Sequence, residues 1–490
     1  MKKRVLKALT EKGILVEPDA LDALSKAPDA MRCVQLITDD GENRPLILTR
    51  SDVANYIECL STKPSSTMRA TQAAAPVADS APATAQHPWN TSEMKVLKDI
   101  TGDSTCVGNV IDFAKLFNDR FAALKRMLAR RRELSGLVSI AKAKRVQRDV
   151  RFVGMVNDVR STKHGHTMLE LEDEEDKVQV LVMKTASRVL LGSFVKDEVV
   201  GVIGSFSKDG EIVIAKDLIR PDVPLNSGMV PNGSDTIVAF ASDIHVGSTE
   251  FMGDAWERFI AWLGKDPVAK DIRYIVMPGD LVDGIGIYPG QEDELVIEDV
   301  YEQYKELARL VEKVPERIRI IMMPGNHDAV RLAEPQPALP HEVSSMFDSR
   351  VTFVGNPCYL DIEGRVILAY HGRSMDDFVA NVRSLSYREP ERIMMDMLKR
   401  RHMAPIYGEK TAIAPEQKDY LVIDRVPDIF VTGHIHGCKV DEYRGIKLIN
   451  ASAWQSQTAF QRMHNQIPDP AKVPMVNLGT GEIWIEDFSS

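Results

Sequence analysis

The sequence predicts an α+β chain of several domains, and three observations carry that prediction. Residues 150–220 contain five short runs in which apolar and polar residues alternate. Residues 235–490 alternate strand-length apolar runs with helical segments. Residues 61–88 are a Ser/Thr/Ala/Pro tract that sets a short N-terminal module apart from both. At 490 residues the chain has room for roughly two to four domains. Hydrophobic residues at 44 % and charged residues at 27 % exclude a mostly disordered or fibrous protein. Lys plus Arg number 61 and Asp plus Glu 71, so the net charge of −10 excludes a uniformly basic nucleic-acid coat. The five cysteines never form a C-x-x-C pair, which fits a reducing compartment and no cysteine-rich zinc site. With no secretory signal and no run near the ~18 apolar residues of a membrane span, the expectation is a cytoplasmic protein with no membrane contact.

Residues 1–60 read as a small helical interaction domain: Val5, Leu6 and Leu9 share a stripe, Gly13 is a stop, Leu21 and Leu24 follow Pro18, and Ser51 is an N-cap. Residues 61–90 cannot bury enough apolar surface to offset their ordering entropy and read as a disordered linker. Residues 91–148 read as a helical basic segment, with Phe113, Leu116, Phe117, Phe121 and Leu124 at helical spacing. Between residues 111 and 151 twelve Lys or Arg face four Asp or Glu, so the charge sign reverses locally. Lys125, Arg126, Arg130, Arg131 and Arg132 are either a solvated helix face or phosphate contacts. In residues 149–225 the strand-like runs are 152–159, 168–171, 178–183, 199–203 and 212–214, with a helix expected near 185–191 and a hairpin turn at Lys208-Asp209-Gly210. Five short strands is the count of an OB-fold barrel, a frequent oligonucleotide binder. His164-Gly-His166 falls in a polar turn and reads as solvated loop.

In residues 235–490 an apolar run ends five times in a polar cluster beside glycine. The clusters are Asp243-Ile244-His245, Gly279-Asp280-Leu281-Val282-Asp283, Gly325-Asn326-His327-Asp328, His371-Gly372-Arg373 and Gly433-His434-Ile435-His436. A buried strand is a rigid mount, and its end is where the chain turns polar groups into a cleft. Two residues apart on an extended chain, the ligands of D-x-H and H-x-H point the same way. Carboxylate, amide oxygen and imidazole without thiolate suit Mn, Fe, Zn or Ni. Seven candidate ligands exceed one ion's coordination, so two ions bridged by a carboxylate are expected, the geometry of metal-assisted phosphoester hydrolysis.

In that order, D-x-H, G-D-x-x-D, G-N-H-D, H-G and G-H-x-H resemble the calcineurin-like metallophosphoesterase superfamily over about residues 236–455. The stretches Asp99-Ile100-Thr101-Gly102-Asp103-Ser104-Thr105-Cys106 and Leu398-Lys399-Arg400-Arg401-His402-Met403-Ala404-Pro405-Ile406-Tyr407-Gly408, with the basic helix and the OB-like segment, resemble the small subunits of archaeal family D DNA polymerases over nearly the whole chain. The resemblance implies an OB-fold barrel plus a calcineurin-like β-sandwich flanked by helices, after the small helical domain. It implies that Asp243, His245, Asp280 and His436 hold one metal, most expectedly Mn2+ with Mg not excluded. Asp280, Asn326, His371 and His434 would hold the other, with Asp280 shared. It casts His327 as the acid, oriented by Asp328; Asp283 is expected to support its loop, and Arg373 either to touch phosphate or to form a salt bridge. The implied activity is 3′ to 5′ exonuclease proofreading of single-stranded or mismatched DNA ends, beside a large catalytic subunit and a possible sliding clamp. A non-catalytic scaffold and a free-standing repair nuclease or phosphodiesterase of the superfamily are the alternatives.

Overall fold

A computed structural model describes residues 94–490, apart from 147, 185–193, 226–227 and 464, together with scattered positions among the first 60. The expected linker 61–90 and the expected helix 185–191 lie outside the described residues. The chain divides into two compact units, Met1–Trp89 and Asn90–Ser490. In the first, Val5, Ala20, Leu24, Val34 and Val53 are buried helical positions. The expectation of a purely helical module is corrected by β1 (Leu15–Val16), which pairs in parallel with β2 (Ile47–Leu48); both are short runs of strand-forming residues.

The second unit opens on β3 (Lys95–Lys98), where a helical segment was expected. Met94 joins one apolar cluster and Leu97 another, so the alternation with lysines suits a strand laid along a sheet edge. The basic helix Val110–Leu128 follows, then a barrel of β4 (Asp149–Ser161), β5 (Thr167–Glu172), β6 (Lys177–Val182), β7 (Val199–Phe206) and β8 (Ile212–Ile219). These five strands close in the order β4-β5-β6-β8-β7, with β6 and β8 parallel. Val150, Phe152, Leu169, Val180, Val202 and Val213 fill the interior, and Ile140 and Ala143 of the helix Ile140–Val146 pack on it. Phe121, Leu124 and Leu128 of the basic helix pack against Val153, Met155 and Val199 of the barrel.

The rest is two six-stranded sheets with helices outside. The first sheet contains β9 (Ile237–Phe240), β10 (Ile272–Pro278), β11 (Arg319–Met323) and β12 (Val351–Phe353), all parallel, with β18 (Lys472–Asn477) and β19 (Ile483–Asp487) completing the order β12-β11-β10-β9-β18-β19. The second runs β16-β17-β15-β14-β13-β3, from β13 (Cys358–Ile362), β14 (Arg365–Ala369), β15 (Ile429–Thr432), β16 (Lys439–Tyr443) and β17 (Ile446–Asn450), with β14, β15 and β17 parallel. Their apolar runs are continuous because both faces of each sheet are covered. Val238, Phe240, Val276, Ile321, Ile367, Ala369 and Val431 meet between the sheets. Their strand neighbours Ala239, Ile275 and Met322 face outward onto Trp256, Phe259 and Leu307 of the helices Gly253–Lys265 and Val300–Glu312. Leu368 and Phe430 face Met375, Phe378 and Met394 of Met375–Asn381 and Pro390–Arg400.

The two stretches at 99–106 and 398–408 lie at the seams between these parts. Asp99 accepts the Gly355 N–H at 2.8 Å, and Glu416 accepts from Ser104, Thr105 and Cys106. Arg400, 1 % exposed, bonds Asp396 on its own helix and Glu198 at the barrel.

Candidate metal centre

All five polar clusters follow strands that are neighbours within their sheets, at the carboxyl ends where the parallel strands of a sheet open a crevice. Beyond β9 stand Asp243 and His245, beyond β10 Asp280, beyond β11 Asn326 and His327. Beyond β14 and β15 of the other sheet stand His371 and His434 with His436. The turns carry backbone strain: Asp243 (φ 51°), His245 (52°), Asp280 (48°), His434 (70°) and His436 (58°) are all left-handed, a region that L-residues enter at a cost. The adjoining glycines allow the approach. A Cβ on Gly325 would stand 2.2 Å from Asp280 Oδ1, and one on Gly433 2.4 Å from Asp243 Oδ2.

The side chains converge in two linked groups. In the first, His436 Nε2 lies 3.1 Å from His245 Nε2 and 3.4 Å from Asp243 Oδ1. In the second, His371 Nε2 lies 3.3 Å from Asp280 Oδ2 and 3.1 Å from Asn326 Oδ1, and the ligand atoms of Asp280, His371 and His434 lie within 4.8 Å of one another. Asp280 Oδ2 is also 3.9 Å from His245 Nε2, so one carboxylate touches both groups. Atoms bound at about 2.0–2.2 Å to one ion stand at such separations from each other.

The histidine tautomers are set from behind. His245 Nδ1 meets Asp283 Oδ1 at 2.9 Å, and His371 Nδ1 meets the Pro278 carbonyl at 2.9 Å. Each acceptor keeps the proton on Nδ1 and leaves Nε2 as a donor atom facing the cluster. His436 Nδ1 meets the Gln461 amide at 3.0 Å. Gln461, Gln455, whose amide donates to Asp283, and Asp376, 3.6 Å from His434 Nε2, belong to the site although no motif spacing marks them. Their polar side chains in otherwise unremarkable loops gave no signal.

Two expectations change here. Asp328 does not orient His327: its oxygens accept from Gly325 N–H, Leu281 N–H and the Tyr304 hydroxyl, because the turn sends the two adjacent side chains apart. The His327 ring is held instead through Nδ1 by the Asp283 carbonyl at 2.7 Å. Asp283 does more than support its loop, since it fixes both His245 and, through its backbone, His327. Arg373 lines the cavity over the cluster, and among the described residues it forms no salt bridge. His166 accepts the Lys184 N–H through Nδ1 in its turn and is remote in sequence from every cluster. Of the basic stretch, Lys125 pairs with Glu174 and Arg131 with Glu133.

The donor set fits divalent cations on its electrostatics. Asp243 and Asp280 are 0 % and 2 % exposed, and among the described residues their ion pairs are with histidines alone, with no Lys or Arg to balance them. Burial alone would raise the Asp280 carboxyl, but His371, His327 and His245 around it hold it well below the usual carboxylate range. Burial would lower His371, yet Asp280 and Asp243 lift it to about 10. The site thus holds its carboxylates ionised and draws in positive charge.

A family model for the B-type subunits of DNA polymerases alpha and epsilon matches residues 238–438, a span that contains all seven candidate ligands. The chain is 46 % identical to the DNA polymerase II small subunit of Archaeoglobus fulgidus, over 80 % of each chain. It is 42 % identical to that of Methanothermobacter thermautotrophicus, over 79 % of this chain and 82 % of the relative. With the Halobacterium salinarum protein of the same name it shares 38 % identity across 99 % of both. No described helix is long and apolar enough to cross a membrane. With that identity over that length, the chain belongs to the archaeal DNA polymerase II (family D) small subunits.

Proposed function

We propose that this small subunit is a metal-dependent phosphodiesterase acting as a 3′ to 5′ proofreading exonuclease beside a large catalytic subunit. The observation that carries the reading is the convergence of seven unbalanced ligands from the strand ends of two sheets. Asp243, His245, Asp280 and His436 would hold one divalent ion, and Asp280, Asn326, His371 and His434 the other, with manganese the first candidate. A pair of such ions supplies Lewis-acid polarisation of the phosphodiester and a nucleophile at neutral pH. His327 reaches toward the cluster, with Nε2 4.0 Å from Asp280 Oδ2 and its far nitrogen tied to a carbonyl. That placement suits proton delivery to the departing oxygen. Arg373, unpaired on the cavity wall, suits a phosphate oxygen.

Hydrolysis polarity and proofreading rest on resemblance to the family D small subunits, as do the large-subunit partner and the calcineurin-like reading of the sandwich. The barrel's strand order, closed by a parallel pair between its third and fifth strands, supports an OB fold that guides single-stranded DNA. Manganese-dependent digestion of a mismatched primer tests the assignment. Asp243→Ala or His371→Ala should lower the rate by at least about 100-fold, beyond what loss of an outer-shell partner costs. Unchanged digestion would remove the site, and absence of digestion by the unaltered protein in any divalent ion would leave a scaffold subunit.

A further inference from the structure

The cluster forms the floor of a cavity of about 460 Å3, a volume for a small ligand, on the scale of a nucleotide rather than a duplex. Two kinds of side chain line it that hydrolysis itself does not require. Tyr288 comes from the crossover between β10 and β11, and Phe460 from the helix Ala459–Met463. Their ring centroids are 6.0 Å apart at 32°. The Tyr288 hydroxyl donates to Glu294 at 2.9 Å, which pins the ring in place, and Phe460 remains 45 % exposed. Arg373 and Arg388 line the same cavity, and among the described residues neither forms a salt bridge, in a protein whose net charge is −10.

Aromatic faces beside free guanidinium groups are the chemistry that recognises a nucleotide: the rings stack any base, and the planar forks pair phosphate oxygens. We propose that Tyr288 and Phe460 stack the terminal nucleobase of the nucleic acid while Arg373 and Arg388 pair its phosphates, so that the cavity admits an unpaired end and excludes a paired one. The proposal rests on the nuclease reading for its substrate class and deepens it by naming what selects the end. A base stacked here must first leave its partner, which costs least at a mismatch. Phe460 also neighbours Gln461, whose amide meets His436 Nδ1, so one short helix touches both the base position and the cluster.

The test measures binding by the full-length chain in chelator, where no turnover occurs. The probes are two short fluorescent single strands, one with a natural 3′ end and one ending in an abasic residue. The unaltered chain should prefer the natural end by about ten-fold, the size of one base stack. Phe460→Leu, which keeps apolar bulk without a π face, should erase most of that preference, and Phe460→Trp should restore it. Arg388→Ala should weaken both probes equally and make their affinity less dependent on salt. Equal affinity for the two ends in the unaltered chain, or none for either, overturns the proposal, as does full preference retained in Phe460→Leu. Adding manganese then tests the nuclease reading separately: end preference without release of nucleotides leaves the subsite standing and removes that reading.

Discussion

Two regions of the second unit bury charge, and they do so in opposite ways. At the seam between the basic helix, the barrel and the sandwich, Arg120 bonds Asp419 at 2.7 Å with the pair 0 % and 1 % exposed, and Arg400 joins Asp396 and Glu198. His402 completes that seam as a neutral ring: Nδ1 accepts the Ala404 N–H, so Nε2 carries the proton and donates to Asp419 at 2.9 Å. Every buried carboxylate there meets a guanidinium. At the strand ends the carboxylates meet only imidazoles. Internal balance marks the seam as structural, because the groups satisfy one another and face no cavity. The imbalance at the strand ends marks a place that awaits cations from outside.

The sharpest way to break this contrast is to unbalance the seam. Asp419→Ala leaves Arg120 buried without its carboxylate, and losing one partner of such a pair costs about 3–5 kcal/mol. Denaturant unfolding should show that loss, and an unchanged midpoint would mean that water already screens the seam. Acid should act at the same place. Burial, with the Arg120 charge, lowers the His402 imidazole to about 4. The unfolded ring takes its proton near pH 6.5, so stability is full above that pH and falls as pH drops through the window down to about 4. The loss attributable to this ring is up to about 3 kcal/mol, and it should vanish from the pH profile of His402→Gln. A variant with the unaltered profile would place the acid sensitivity elsewhere.

How far each region was legible in the sequence follows from the same contrast. The site's ligands stand beside glycine at strand ends, and Asp243-x-His245 and His434-x-His436 share a side by simple alternation, so short spacing revealed them. The barrel strands were legible because one face is apolar and the other wet. The seam was opaque. Arg400 and Arg401 read as part of a basic, solvated run, yet Arg400 is fully buried by partners some 200 residues away at Glu198, and no local pattern encodes that pairing. The strand β3 escaped for the same reason, since its pairing partner β13 lies more than 250 residues on. Adjacency misled at His327-Asp328, where the turn separates neighbours and Tyr304, from a helix two dozen residues upstream, takes the carboxylate instead.

The cation-dependent side of the contrast sets the next effect. Manganese at about 100 times its dissociation constant should stabilise the folded chain by about 2.7 kcal/mol, because only the folded state gathers the ligands. Asp280→Asn, which removes the carboxylate common to both groups, should abolish most of that gain, while Asp419→Asn should leave it intact on a lowered baseline. A metal-induced shift of equal size in Asp280→Asn would place the ions elsewhere.

The smallest effect tests whether the outer shell behaves as argued. Asp283 Oδ1 accepts from His245 Nδ1 and from the Gln455 amide, and its Oδ2 accepts from the Gln291 amide. Both oxygens therefore face donors. In Asp283→Asn one of those positions becomes an NH2 group pointing at a donor, and the negative charge that makes His245 a better ligand is gone. The fold should hold, since the Asp283 backbone carbonyl still accepts from His327 and from Gln291. Loss of a second-shell partner of this kind costs about 10- to 100-fold in metal affinity. Manganese titration followed by calorimetry should show it, with digestion recovering toward the unaltered rate at saturating metal because His327 keeps its anchor. Unchanged affinity would mean that His245 is positioned by packing alone, and the carboxylate behind it would then be as purely structural as Asp419 at the seam.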